Sequence, residues 1–158
     1  MTTLPTASAS PAVAAPSFPL ALVGCGKAKA SSPLPARWLY TSTLFRLSLA
    51  HAEVAAERVW IVSALHGLVD PHEELSPYAL ALGELSPEVQ QGWARGVVEQ
   101  LGEGHERRVL LLAGGAYALL LGAALGLAGW VVEAPLAGLS IGRRLRWLAQ
   151  HIPARGAA

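Results

Sequence analysis

A three-layer α/β domain follows from the pattern of this chain: a mainly parallel sheet of about four strands with helices on both faces. Short apolar runs alternate with longer stretches of helical periodicity across residues 18–152. Most of the runs open into glycine or small polar residues, as buried parallel strands do where they meet a crossover loop. A length of 158 residues suits one such domain, which buries about two thirds of its unfolded surface.

Residues 1–17 are mostly small residues and proline, without a basic start or a continuous apolar run, and read as a disordered tail with no secretory signal. Phe18 to Gly24 is the first buried strand, ending in Gly24-Cys25-Gly26. A loop containing Pro33 and Pro35 follows, then Thr41 or Ser42 caps a helix running through Glu57, with Leu44, Leu47, Leu49, Ala52 and Val54 on its apolar side. Val59 to Val62 is the second strand, running straight into a loop from Ser63 to Pro71. Ser86-Pro87-Glu88 opens a helix with a serine cap, proline in the first turn and an early acid; it ends near Gly102 to Gly104.

From Val109 to Val132 there are 24 residues without a charge, enough to cross a bilayer. Gly114-Gly115 and the stretch from Gly126 to Gly129 divide them into a strand (Val109 to Leu112), a helix (Ala116 to Leu125) and a strand (Trp130 to Val132), which is the reading of a soluble domain. Ile141 to His151 is the closing helix, with Arg143, Arg144 and Arg146 on its first turns, and residues 153–158 form a flexible end. No internal repeat is visible.

The composition is 53% apolar and 15% charged, and the formal charge of +1 argues neither for nor against nucleic acid. One cysteine excludes an internal disulfide and a cysteine-based zinc cluster, and a lone thiol suits a reducing cytoplasm. No histidine pair has helical ligand spacing, so neither a metal nor a cofactor is expected. The chemistry concentrates instead. The only two lysines, Lys27 and Lys29, fall within a five-residue stretch with the only cysteine, and the only aspartate, Asp70, belongs to a second polar cluster that contains Ser63 and His66.

In an open parallel sheet ligands bind beyond the carboxyl ends of the strands. The loops there are 24–29, 63–70 and 113–117, so the chemically unusual segments should converge. Cys25 reads either as a nucleophile, its thiolate favoured by the neighbouring ammonium groups, or as a small residue closing the strand. Lys27 and Lys29 read as anion-binding point charges or as solvated side chains. His66 is a general acid or base, or a structural donor tying two loops. Asp70 positions a ligand or simply caps the turn at Pro71. Ser42 is a cap or a ligand contact, and Tyr40 stands at the edge of the site. Gly114-Gly115 joins a strand to a helix in a form able to receive an anion, without matching a dinucleotide fingerprint or a P-loop. Arg143, Arg144 and Arg146 are phosphate contacts or an exposed basic face.

The runs Val23 to Lys29, Leu39 to Phe45, Val62 to Pro71, Pro77-Tyr78, Leu112 to Tyr117 and Gly138 to Gly142 resemble the YaaA-like superfamily, over about residues 20–148. The similarity is greater to small bacterial and phage members than to the longer peroxide-stress members, which carry a DNA-binding role. A weaker similarity is to the core domain of archaeosine synthase, which attaches lysine to a deazaguanine base in tRNA. That domain's motif has a cysteine, three residues and then a lysine, a spacing Cys25 and Lys29 satisfy. Its Pro-Tyr directly after the lysine is missing here, and Tyr40 and Ser42 arrive only after an insertion from Ala30 to Leu39.

Together these readings imply a cytoplasmic protein whose pocket takes a nucleotide, a modified base or a nucleic-acid end, in base modification or in the response to DNA damage or oxidative stress. Cys25, His66 and Lys29 are the expected catalytic residues. Gly24, Gly26, Lys27, Tyr40, Ser42, Ser63, Asp70, Tyr78, Gly114, Gly115, Tyr117 and Arg143 are the expected ligand contacts. The alternative is a non-catalytic module of stress physiology that binds DNA or a nucleotide; a third reading is a scaffold with a vestigial pocket. No membrane partner is expected, and a small, apolar, proline-containing domain of this kind is a candidate homodimer.

Overall fold

The computed structural model describes residues 16–151. The sequence readings of the two chain ends as flexible therefore lie outside the described residues, apart from residues 16 and 17. Ser17 is tied down, donating its N–H to the Ala55 carbonyl at 2.9 Å.

In chain order, β1 is Phe18–Gly24, followed by β2, Leu34–Pro35, and the single turn α1, Ala36–Leu39. α2 spans Thr43–Ala55, and β3, Ala56–Ser63, leaves it without an intervening loop. β4 is Gly67–Val69, β5 is Glu74–Leu75, and a 3₁₀ turn covers Leu82–Glu84. α3, Pro87–Leu101, leads to β6, Arg108–Leu112; α4, Gly115–Leu127, leads to β7, Val131–Glu133; α5, Ile141–His151, closes the described chain. No helix among the described residues is long and apolar enough to cross a membrane.

The main sheet has five strands in the order β4-β3-β1-β6-β7, all parallel except β4, which runs antiparallel to β3. Because β1 lies at the centre it is covered on both faces, which explains its unbroken apolar run. Its Ala21 and Val23 point into a core shared with Phe45, Leu49 and Ala52 of α2 and Leu148 of α5. Leu20 and Leu22 point the other way, to Ala94 and Val97 of α3 and Leu121 and Leu125 of α4. Leu22 is fully buried, so Leu22→Ala costs about 2–5 kcal/mol.

The sequence suggested four strands; the fifth, β4, lies inside the stretch read as a loop. Gly67, at φ +72°, makes the tight return that an L-residue resists, and three residues are too few to reveal an alternating pattern. The Pro33–Pro35 loop likewise contains β2, which pairs antiparallel with β5. Helix capping is as expected: Ser42 Oγ accepts from Phe45 N at 3.1 Å and Ser86 Oγ from Val89 N at 3.3 Å.

The segment between Lys29 and Tyr40 closes on itself, with Ala36 and Leu39 in the core. An antiparallel bridge pairs Lys29 with Tyr40, Ala30 N donates to Leu39 O at 2.8 Å, and Thr41 N donates to Ala28 O at 3.0 Å. Tyr40 thus returns beside Lys29 although ten residues separate them in the chain.

From β1 the chain moves through α2 to β3 on one side, and from β3 through α3 to β6 on the other. This reversal opens a crevice between the carboxyl ends of β1 and β6, the place where such sheets bind ligands.

Candidate functional site

Gly24-Cys25-Gly26 occupies the end of β1 beside that crevice. The Cys25 backbone N–H continues the ladder to β3, donating to Val62 O at 3.1 Å, and the half-buried side chain turns toward α4. Its Sγ lies 3.3 Å from the Tyr117 hydroxyl and 3.9 Å from that of Tyr78.

Tyr78 is the hub of a buried network. Its hydroxyl stands 2.6 Å from Tyr40 Oη and 2.6 Å from Ser63 Oγ. Ser63 is fully buried, and its Oγ accepts the Leu65 and His66 backbone N–H groups at 3.2 and 3.1 Å. Those two bonds occupy its lone pairs, so the serine proton goes to Tyr78. The Tyr78 proton is then free for Tyr40 or for the sulfur. Trp93 Nε1 donates to the Ser63 carbonyl at 3.0 Å, anchoring α3 to the same point, and the Trp93 ring meets Tyr117 edge-on. All three tyrosines of the chain therefore surround its only cysteine.

Every one of these phenols holds its proton more tightly than usual. Tyr40 is pushed up to about 12, chiefly by burial. Burial also raises Tyr78 and Tyr117 well above the ordinary phenol value, with the neighbouring Cys25 charge adding to both. At neutral pH all three keep their protons, so Tyr117 and Tyr78 face the sulfur as hydrogen-bond donors and not as bases.

Two cavities adjoin at this point, with Cys25, Gly26 and Tyr117 lining both. The first, about 210 Å³, lies in the crevice between Gly24-Cys25-Gly26, Ser42 and Ser48 on one side and Ala113-Gly114 and Arg144 on the other. Arg144 Nε donates to Leu139 O at 2.9 Å, which leaves its terminal amino groups for the cavity. Its guanidinium lies directly over Gly114, where a Cβ would overlap it. Gly115, at φ +57°, then turns the chain into α4. The second cavity, about 320 Å³, is lined by Lys27, Lys29, Tyr78, residues 79–82 and Glu84. Lys29 Nζ sits 4.4 Å from the Tyr78 ring centroid and donates to the Lys27 carbonyl at 3.1 Å.

The expected site residues divide accordingly. Cys25, Gly24, Gly26, Lys27, Lys29, Tyr40, Ser42, Ser63, Tyr78, Gly114, Gly115 and Tyr117 lie at or beside this edge of the sheet. His66 is exposed; its ring meets the Tyr78 ring edge-on at 5.3 Å, but among the described residues no hydrogen bond joins the imidazole to the Cys25 thiol. Asp70 is not brought to the site. It lies near the opposite end of β3, accepting from His72 N at 2.8 Å and pairing with Arg58 at 3.5 Å, because antiparallel β4 carries the chain away from the carboxyl edge. Arg143 is also displaced: it is exposed at the start of α5, and Arg144 lines the cavity in its place. The sequence held a signal for this, since Arg144 precedes the buried Leu148 by four residues and so shares its inward face. Glu84 and Trp93 carried no comparable signal. Among the described residues, no three His, Cys, Asp or Glu side chains gather as a metal site requires.

Residues 20–150 match the model of a family described as of unknown function, DUF6884. No curated protein and no solved structure matches the chain.

Proposed function

The chain belongs to DUF6884, and for this member of the family we propose a pocket protein that binds a nucleotide or a phosphorylated base derivative at the carboxyl edge of its sheet, with Cys25 as its nucleophile. One observation carries this reading: the only cysteine, both lysines and two of the three tyrosines line two adjoining cavities of different character, with buried Tyr40 hydrogen-bonded behind Tyr78. The smaller, with Arg144 and the Gly114-Gly115 turn into α4, suits a phosphate. The larger offers the Tyr78 ring, the Glu84 carboxylate and the two ammonium groups, a mixture of stacking, acceptor and donor surfaces that suits a heteroaromatic base. Cys25 lies at the junction, where the reacting part of such a ligand would come.

The division of labour in this reading is unlike that of a cysteine–histidine pair. Tyr117 and Tyr78, both firmly protonated, donate to the sulfur and stabilise its thiolate. They do not take its proton, which passes to solvent or to the ligand. His66 supports Tyr78 from the solvent side. Base modification and the damage or oxidative stress response remain the settings proposed for such a pocket.

The missing imidazole–thiol bond favours one second reading, a non-catalytic module that binds a nucleotide or nucleic acid and uses Cys25 only to line the pocket. Titration calorimetry with nucleoside monophosphates, nucleosides and single-stranded oligonucleotides tests both. The proposal expects monophosphates to bind more tightly than nucleosides, with the difference lost in Arg144→Ala. Cys25→Ser then separates the readings: both keep binding, but only the first loses a covalent adduct seen by intact-mass measurement. Equal binding of nucleosides and monophosphates refutes the phosphate site.

A further inference from the structure

α4 carries no charged residue, and Tyr117 is its only polar side chain. A surface helix ordinarily turns a charged face to water. This one turns out Leu119, Ala123, Gly126 and Leu127, with Leu119 77% and Leu127 92% exposed. Between that stripe and α3 runs an open apolar groove of about 640 Å³, lined by residues such as Ala94, Val98, Leu120 and Ala124. The charged residues on its rim are Arg95 and Glu99, neither of which forms an ion pair among the described residues.

The face is complementary to itself. Leu119 and Leu127 lie at equal sequence distances on either side of Ala123. A two-fold axis over Ala123 therefore sets two α4 helices antiparallel, with Leu119 of each copy against Leu127 of the other. Gly122, Ala123 and Gly126 keep the centre low enough for the helices to approach closely. On α3, Arg95 and Glu99 are one turn apart on the same rim, and a two-fold axis presents the same two charges in reversed order from the second copy, so the rim carries charges of both signs for a like partner. One occupant satisfies both the apolar stripe and the charged rim.

We propose that this face is the interface of a homodimer, in which a second copy of the chain lies antiparallel across α4 and docks its exposed leucines along the α3–α4 groove. Sedimentation velocity on the full chain, from low micromolar to several hundred micromolar, tests it. The wild-type protein is expected to reach twice the 16.5 kDa chain mass. Leu119→Glu with Leu127→Glu should sediment as a monomer; the near-ultraviolet circular dichroism of its tryptophans and tyrosines should be retained, because both positions are exposed in the single chain. Arg95→Glu alone should weaken the dimer about tenfold or more, and adding Glu99→Arg should restore it, a rescue that misfolding cannot mimic. A wild-type monomer at every concentration overturns the proposal and leaves the groove to a different protein or to residues 1–15. A dimer indifferent to the leucine substitutions, or one that the charge exchange fails to restore, overturns it as well.

Discussion

The Tyr117 hydroxyl lies 3.3 Å from the sulfur of Cys25, joining the first turn of α4 to the end of β1 across 92 residues of chain. Both groups also line the two cavities of the site, so this contact forms part of the wall between them. If it stabilises the thiolate, Tyr117→Phe should slow alkylation of Cys25 by iodoacetamide at neutral pH several-fold. The loss of one part-buried hydrogen bond should lower stability by only about 1 kcal/mol. An unchanged alkylation rate would show that Tyr117 does not stabilise the thiolate.

The three phenols make a pH prediction whose sign is fixed. Their native values lie above the ordinary value of 10, with Tyr40 at about 12, whereas an unfolded chain ionises near 10. Their contribution to stability is therefore complete below pH 10 and is lost as pH rises from 10 toward 12. Since no tyrosine lies outside the network, phenolate absorbance should stay low in the native protein at pH 10–11 and appear together with unfolding. Ordinary ionisation near pH 10 in the folded protein would contradict the network.

Gly114 leaves room for the Arg144 guanidinium, and a Cβ there would displace it. Gly114→Ala and Arg144→Ala should therefore lose nucleotide binding to the same extent in calorimetry. At φ −130° the alanine is unstrained at position 114, so the fold should survive the change. Intact binding in Gly114→Ala would place the phosphate elsewhere.

Ser63→Ala removes the acceptor of two backbone N–H groups and the partner of Tyr78 in a fully buried position. Denaturant unfolding should show a loss of about 1–3 kcal/mol.

Asp70→Asn serves as the contrast. Its partner Arg58 is half exposed and 3.5 Å away, so stability should change by less than about 1 kcal/mol and nucleotide binding not at all. A binding defect would return Asp70 to the site.

What the sequence made legible depended on length and pattern. β1 and α5 fall where their residue patterns place them, Phe18 to Gly24 as a continuous apolar run and Ile141 to His151 as a helical stretch with arginines on its first turns. Strand–helix alternation led to the expectation that 24–29, 63–70 and 113–117 converge; Ser63 does meet the other two segments, through Tyr78 and Cys25, whereas Asp70 does not. β4 was hidden because three residues carry no period, and with it went the direction of Asp70. The return of Tyr40 to Lys29 depends on a bridge closed by backbone hydrogen bonds, which no side-chain pattern announces. The tyrosine network was equally hidden: Tyr40, Tyr78 and Tyr117 come from three separate segments, and only the tertiary fold brings the Tyr78 and Tyr117 hydroxyls to one sulfur and Tyr40 to Tyr78.

Because Cys25 is the only thiol, intact-mass measurement of its alkylation reads a single site. The rate should fall saturably as a nucleoside monophosphate is added, and Arg144→Ala should abolish that protection while leaving the unliganded rate in place. Alkylation that proceeds equally fast at millimolar nucleotide, in wild type and variant alike, would contradict the assignment of this pocket.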